Sequence, residues 1–514
     1  MNWPLDRGWL LANEGGSPRY ELIAQAIEGA ILAGILRSGE KLPTVRQLSD
    51  QLGVSGTTIA AAYRLLSEKG WIRSEVGRGT FVTSPQIGGA FVNVHKTPSV
   101  LELKSESIGA ARPTASSVAP WRRRALMSSA SRLRASYPKL IDCSTGRPDP
   151  ALLPLALLQR AWKEAAENTR HSDLQYAGPE PVDSLVGALL PRLLSDNIPA
   201  RPSDLVVGSS AQQLMVLSLQ MMSLTSRELT IAVENPGYPT IFDTYERAGY
   251  RLVGVDVDAY GAIPDSLDGA FRSGATAALL TPRAHNPTGA SWSVERAAAL
   301  AQVVASHAGV VVIEDDHFAG ISCSRPGSLM SDRRIEDRVI YIRSFSKSIG
   351  PDLRIAVAVA RPRLRSPLAE SKNFADGWTS RILQRTLAGV LQDAELDESL
   401  SAAVRAYADR RTIAARELHN AFRVLGGGAW SGTDGVNIWV HLPSGLDSLP
   451  VIERSASLGV LVAPGEPFFI RPGRGDVLRL NVGAVDTDQA IVVGQTLAKA
   501  ALTQVETTIH AIPV

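Results

Sequence analysis

Cysteine is nearly absent: Cys143 and Cys323 are the only two in 514 residues. Two thiols cannot build a disulfide framework or a cysteine-rich zinc site. No apolar run approaches the ~18 residues needed to span a bilayer. The stretch from Met1 to Gly16 carries Asp6 and Glu14 where a signal peptide would have an apolar core. G-x-G-x-x-G, the Walker A motif and H-E-x-x-H are all missing, so three common routes to nucleotide or metal chemistry are closed. With 45% hydrophobic and 20% charged residues, the composition is neither collagen-like, nor disordered, nor that of a coiled-coil rod. These absences predict a cytoplasmic protein with no membrane segment and no metal centre, long enough at ~150 residues per domain for about three domains.

The net charge of +2 hides an asymmetry. Residues 84–139 hold nine Lys/Arg against two Asp/Glu, whereas residues 140–514 hold 35 against 41. A localised basic stretch is an electrostatic footprint for a polyanion, although a solvated linker has the same composition.

Residues 19–83 read as a compact unit. Leu22, Ile23, Ala26, Ile27, Ala30 and Ile31 recur at helical spacing. Thr44 is placed to cap a second helix that Gly53 ends. Ser55 is placed to cap a third, with Ile59, Ala62, Tyr63 and Leu66 on one face. Two short strands follow around Gly77-Arg78-Gly79. Three helices and a strand–turn–strand wing fit a winged helix-turn-helix, and the periodicity fits a small helical bundle equally well. In the first reading Ser55, Thr57 and Thr58 open the helix that enters the major groove, and Arg46 and Arg78 flank it. The words Gly39-Glu40-Lys41-Leu42-Pro43-Thr44-Val45-Arg46-Gln47-Leu48, Leu52-Gly53-Val54-Ser55, Thr57-Thr58-Ile59 and Gly77-Arg78-Gly79-Thr80-Phe81-Val82 resemble the DNA-binding domain of the GntR family of bacterial regulators. The resemblance implies DNA contact at Arg46, Thr57, Thr58 and Gly79. Gly56 and Ala60 stand where that family usually has arginine.

From residue 140 to 390, short β-rich runs alternate with helical stretches: Val206-Val207, Leu229–Val233, Ala277–Leu280, Val310–Ile313, Val339–Ile342 and Ile355–Val359. This pattern predicts a largely parallel sheet with crossover helices. The acidic body has four lysines, Lys163, Lys347, Lys372 and Lys499. Only Lys347 follows a buried-strand run, after Ser344-Phe345-Ser346. The ends of such strands are where open α/β sheets bind ligands, and a lysine partly withdrawn from water there becomes a Schiff-base nucleophile, although the Ser-Phe-Ser-Lys word alone fits a surface lysine better.

Val310–Ile313 runs into Glu314-Asp315-Asp316-His317. Period two puts Asp315 and His317 on one face. Asp315 then suits the ring nitrogen of pyridoxal 5′-phosphate and His317 its phenolic oxygen, with a metal site or a solvated loop as alternatives. Asn286, in Asn286-Pro287-Thr288-Gly289, offers an amide to the same oxygen. Tyr238 suits stacking on the ring. Gly208-Ser209-Ser210-Ala211-Gln212 opens an apolar helix whose start suits a phosphate.

In order and spacing these residues resemble fold-type I pyridoxal-phosphate enzymes of the aminotransferase class, over roughly residues 140–500. The resemblance implies Lys347 as the aldimine lysine, Asp315 on the pyridine nitrogen and Asn286 on the phenolic oxygen. Ser344, Ser346, Arg354, Ser210, Ala211 and Gln212 would form a phosphate cup. Tyr176 would reach the partner subunit's phosphate, and Arg479 would grip a ligand carboxylate. His317 replaces a common Tyr, Ser210 a common Gly, and Pro181 the usual Gly after the Tyr176 motif.

The predicted organisation is multidomain. A winged helix-turn-helix occupies 1–84, mostly α with a small β wing, and a basic linker 85–139, with room for a short helix near 120–134. An α/β aminotransferase-like fold-type I domain occupies 140–514, its large part about 205–390 and its small part about 140–200 and 391–514. That union resembles the MocR-type regulators. It implies double-stranded operator DNA, a small amino-compound effector and a head-to-tail homodimer as partners. The effector would be sensed by external aldimine formation, with no net turnover. A working aminotransferase with an appended reader domain, or a sensor of pyridoxal phosphate itself, are the alternative readings.

Overall fold

The computed structural model describes residues 18–32, 36, 40–68, 71–75, 79–83, 121–223, 229–324, 327–423, 428–430, 432 and 434–510. The chain divides into two compact units, residues 1–108 and 109–514.

The first unit has three helices, α1 (Arg19–Leu32), α2 (Val45–Leu52) and α3 (Gly56–Glu68), then strands β1 (Ile72–Glu75) and β2 (Gly79–Val82). Thr44 caps α2 in a capping box with Gln47, so the first orphan amides of the helix are satisfied by its own neighbours. Gly53 ends α2 at φ 67°, a left-handed position that glycine enters without steric cost. Ile23, Ile27, Leu48, Leu52, Ile59, Leu66 and Ile72 close a small core. Antiparallel β1–β2 forms the predicted wing, and Leu42 N–H donates to Thr80 O at 2.8 Å to tie the α1–α2 connection to it. Arg78 lies outside the described residues.

The first described element of the second unit is α4 (Trp121–Ser136), which lies where the sequence left room for a short helix within the linker. The basic run there is not simply solvated. Arg122 is fully buried and Arg134 pairs with Asp142 at 2.7 Å. Sequence cannot show this, because the acids that pair with Arg122, Asp243 and Glu246, lie far along the chain.

After α5 (Leu155–Glu167) and α6 (Asp183–Ser195) come β3 (Leu205–Gly208), α7 (Ala211–Ser223), β4 (Thr230–Glu234), α8 (Pro239–Arg247), β5 (Arg251–Val255), β6 (Ala277–Leu280), β7 (Val311–Asp316), β8 (Val339–Ser344) and β9 (Ala356–Ala360). Among the described residues, seven strands form one sheet in the order β3-β9-β8-β7-β6-β4-β5. Only β9 is antiparallel to its neighbours, so the predicted largely parallel sheet is present. The alternation of strands missed β5, an edge strand that starts on exposed Arg251.

Helices α5 and α6 pack into the core of this sheet through Leu157, Leu158, Leu185 and Leu189, not into the small part to which residues 140–200 were assigned. Their apolar stripes match the face of the large sheet, a match that sequence order does not encode. The small part has its own core, in which α4 contributes Ala130 and Leu133. Its strands β10 (Asn437–His441) and β11 (Val477–Asn481) pair antiparallel.

A buried charge cluster braces the large sheet. Arg283 Nη2 lies 2.7 Å from Asp316 Oδ2, with side chains 3% and 0% exposed, and Tyr341 Oη donates to the same oxygen. Arg343 bonds Asp196. Removing one partner of a buried pair strands the other charge. Arg283→Met is therefore expected to lower unfolding free energy by ~3–5 kcal/mol, measured by urea denaturation. A loss below ~1 kcal/mol would show the pair to be energetically neutral.

Candidate functional site

A cavity of about 350 Å³ opens at the carboxyl ends of the central strands. Both parts of the second unit line it. The large part supplies Ser210, Ala211, Gln212, Tyr238, Asn286, Asp315, His317, Ser344, Ser346, Lys347 and Arg354. The small part supplies Arg479, Asn437 and Asn481, and Gly146 joins from the segment after α4.

Lys347 follows the end of β8, where the chain turns out of the sheet. Its Nζ donates to Gly146 O at 2.5 Å. Burial, aided by the nearby positive charge of Arg479, lowers its pKa to about 8, against an ordinary 10.5. Arg479 itself is buried on β11, stacked over the Phe468 ring at 5.0 Å. It donates to Ser144 O and, at 3.3 Å, to Asn286 Oδ1. Its Nε is buried with no hydrogen-bond partner, and burial lowers its pKa to about 10, so it stays charged at neutral pH. Among the described residues no carboxylate pairs with it.

Strand β7 sorts its acids by period two. Glu314 turns to Ser328 and to Leu329 N–H, the latter at 2.7 Å, and Asp316 turns to Arg283. Asp315 and His317 turn to the cavity, with His317 Nδ1 3.5 Å from Asp315 Oδ2. Asp315 Oδ1 is buried without a partner.

Behind this layer lie two residues the sequence reading missed, Glu234 and His285, with His285 Nε2 3.4 Å from Glu234 Oε2. Burial raises Glu234 to about 8 and lowers His285 to about 3, so the pair is neutral near pH 7. The strand ending in Glu234 and the word His285-Asn286 were both visible, but only the fold brings them together.

Helix α7 points its start at the cavity. Ser210 Oγ accepts from Gln213 N–H at 3.1 Å, which leaves other amides of the first turn free of intrahelical partners. Arg354 holds φ 53°, a strained position for a side chain that lines the cavity. Of the body residues predicted for the site, Tyr176 alone does not line it. It is 93% exposed, with its ring edge-on to Trp378 at 5.7 Å.

In the first unit, Ser55 Oγ accepts from Thr58 N–H at 3.2 Å and bonds the hydroxyls of Thr57 and Thr58 at 2.7 and 2.8 Å. The start of α3 thus presents a knot of three hydroxyls, with Thr57 exposed. Arg46 is exposed on α2, and Gly79 holds φ 121° where a Cβ would meet Lys41 Cε at 2.5 Å.

Residues 139–493 match the family of class I and II aminotransferases, and residues 19–82 match the bacterial regulatory proteins of the gntR family. The chain is 32% identical to the vitamin B6 salvage pathway transcriptional repressor PtsJ of Salmonella typhimurium, over 91% of this chain and 95% of that protein. It is 26% identical to the pyridoxine biosynthesis transcriptional regulator PdxR of Corynebacterium glutamicum, over 76% and 77%. In fold it is similar to an archaeal alanine:glyoxylate aminotransferase, with TM-score 0.67, 24% identity and coverage of 74% of this chain and 96% of that one. The chain belongs to the class I and II aminotransferase family and, with a gntR-family domain in front, to the MocR-type transcriptional regulators.

Proposed function

We propose that the chain binds double-stranded operator DNA through its gntR-family domain and senses a small amino compound with pyridoxal 5′-phosphate held in its aminotransferase-like domain. The carrying observation is the single cavity that gathers Lys347, Asp315, Arg354 and Arg479 in a chain that also has a reader domain. The donor set suits this cofactor. Asp315 Oδ1 and Arg479 Nε are buried and unpartnered, as acceptor and donor sites left for a ligand would be.

When bound, pyridoxal phosphate supplies an aldehyde that bonds reversibly to a primary amine and a ring that draws electrons. Lys347 is the amine this chain offers. Its lowered pKa leaves about a tenth of it neutral near pH 7. Asp315 accepts from the ring nitrogen, and Tyr238 covers the ring. Asn286 and His317 address its phenolic oxygen. Arg354, Ser344, Ser346, Ser210 and the amides of Ala211 and Gln212 hold the phosphate. Arg479 would orient the carboxylate of an amino compound beside Lys347. Exposed Tyr176 is available to a second copy of the chain, as a head-to-tail homodimer that completes each phosphate site would require. Such a regulator holds its amino compound without releasing keto acid.

A second reading, sensing of pyridoxal phosphate itself, is favoured by the relatives named for vitamin B6 salvage and pyridoxine biosynthesis. Adding pyridoxal phosphate with no amino compound, while following operator binding, separates the two.

Lys347→Ala should lose the visible absorbance of the cofactor adduct while far-ultraviolet circular dichroism stays unchanged. A borohydride-reducible adduct persisting in that variant would remove Lys347 from the role.

Because the neutral amine is the reactive form, a lysine of pKa about 8 gains it as pH rises through 8. The rate at which the visible band forms should rise ~10-fold from pH 7 to 9 and then level off. A rate still climbing toward pH 10.5 would indicate an ordinary lysine.

In the reader domain, a Cβ on Gly56 meets only Val45 Cγ1, at 3.8 Å, so a side chain fits there. Gly56→Arg should add ~1–3 kcal/mol of preference for guanine at one half-site position. Selection from a random duplex pool reads this out, and pools of identical base preference would show that position 56 does not face the groove.

A further inference from the structure

Helix α4 is the first described element of the second unit, and it bridges the two parts of that unit. Its Ala130 and Leu133 are buried in the small core. Its first turn is pinned to the large part. Arg122, 0% exposed, pairs with Asp243 at 2.9 Å and Glu246 at 2.6 Å, both on α8. The Arg123 backbone N–H also donates to Asp243 Oδ2, at 3.0 Å. On its other side the same guanidinium donates to Phe469 O at 3.0 Å and to Ile470 O. It also lies over the Phe242 ring at 5.4 Å. Every nitrogen of the group is engaged, so Arg122 cannot turn without breaking bonds to one side or the other.

Both sides lead to the cavity by short routes. Tyr238 immediately precedes α8 and is its N-cap. The segment 468–470 carries Phe468, on which Arg479 stacks. It is also stitched to the chain before Tyr238, with Gly237 N–H donating to Phe468 O at 2.8 Å and Ile470 N–H to Asn235 Oδ1 at 3.0 Å. A ligand that presses on Tyr238 or reorients Arg479 therefore acts on the two groups of acceptors that hold Arg122.

We propose that Arg122 is a positioning residue that couples occupancy of the cavity to the first turn of α4, and so to the linker end from which the reader domain is tethered. The proposal rests on the reading of the cavity as the site of pyridoxal phosphate and an amino compound. Occupancy tightens the join that Gly237 and Asn235 already make between the start of α8 and segment 468–470, and Arg122, bonded to both, passes this on to the start of α4. Lysine cannot replace it, because a single ammonium cannot engage two carboxylates and two carbonyls set in a plane around it.

The test is hydrogen exchange of the full chain with N-(5′-phosphopyridoxyl)glycine, a stable adduct that spans the cofactor and carboxylate positions, its binding measured by calorimetry. In the wild type the adduct should slow exchange across 121–136 by roughly fivefold. Arg122→Lys and Glu246→Gln should bind the adduct within about threefold of wild type, yet lose that response. Glu246 is 22% exposed and leaves Asp243 in place, so this variant decides the matter if Arg122→Lys does not fold. A purely structural arginine would change basal exchange in the variants and keep the ligand response, which would overturn the proposal. So would an unchanged α4 in the wild type with the adduct bound. Failure of the wild type to bind the adduct would instead sink the reading of the cavity.

Discussion

Two cations, Lys347 and Arg479, are taken out of water beside each other, and much of the body exists to make that tolerable. Burial lowers both pKa values, to about 8 for the lysine, which Arg479 also repels, and to about 10 for the arginine. The large sheet contributes the lysine at the end of a fully buried strand, and the small sheet contributes the arginine from another. Neither part holds both groups, so the cavity exists only where the two cores meet. With Arg354 added and Asp315 the one carboxylate on the lining, the site is short of negative charge. A phosphate and a carboxylate are the groups that would balance it.

The acids nearby are kept from filling that role by backbone geometry. Four consecutive titratable residues, Glu314 to His317, would collapse onto the cations if they shared a face. Strand periodicity sends Glu314 and Asp316 into separate networks and leaves Asp315 and His317 toward the cavity. Glu234 and His285, one layer back, are neutral near pH 7, so they add no competing charge. The charge balance of the site is thus set by which carboxylates the fold satisfies elsewhere.

These causes explain what was legible in the sequence. Lys347, Asp315 and Asn286 stand at strand ends, and buried parallel strands announce themselves as apolar runs. Their neighbours in the cavity could therefore be read from local pattern. The reader helices were legible through Thr44, Gly53 and Ser55, because caps and left-handed turns are local chemistry. What stayed hidden depends on contacts across long separations. Gly146, Asn437 and Asn481 line the cavity but carry no local mark. Arg122, in a run of three arginines, looked like any basic linker residue, since Asp243 and Glu246 lie on a helix more than a hundred residues away. Helices α5 and α6 were assigned to the wrong part because amphipathic stripes do not say which face receives them.

The fate of the basic segment changes how the reader domain should be thought of. Counted along the chain, residues 84–139 read either as an electrostatic footprint for a polyanion or as a solvated linker. Yet Arg122 is neutralised inside the body, and Arg134 is committed to Asp142. Each lysine or arginine withdrawn from phosphate contact flattens the salt dependence of binding by about 0.9 in the logarithmic slope. Part of the apparent electrostatic excess is therefore structural: it fastens α4 in place and is unavailable to phosphates. Recognition then leans more on the first unit itself, where Ser55, Thr57 and Thr58 bond one another at the start of α3. As DNA contacts, the role proposed for them, those hydroxyls would exchange internal bonds for bonds to DNA, and their net gain would be small. With glycine at 56 and alanine at 60, no long side chain compensates at those two positions. On the proposed reading, a single reader domain built this way would discriminate weakly, and pairing two of them across a dimer, with half-sites at a fixed spacing, would be the physical route to selectivity.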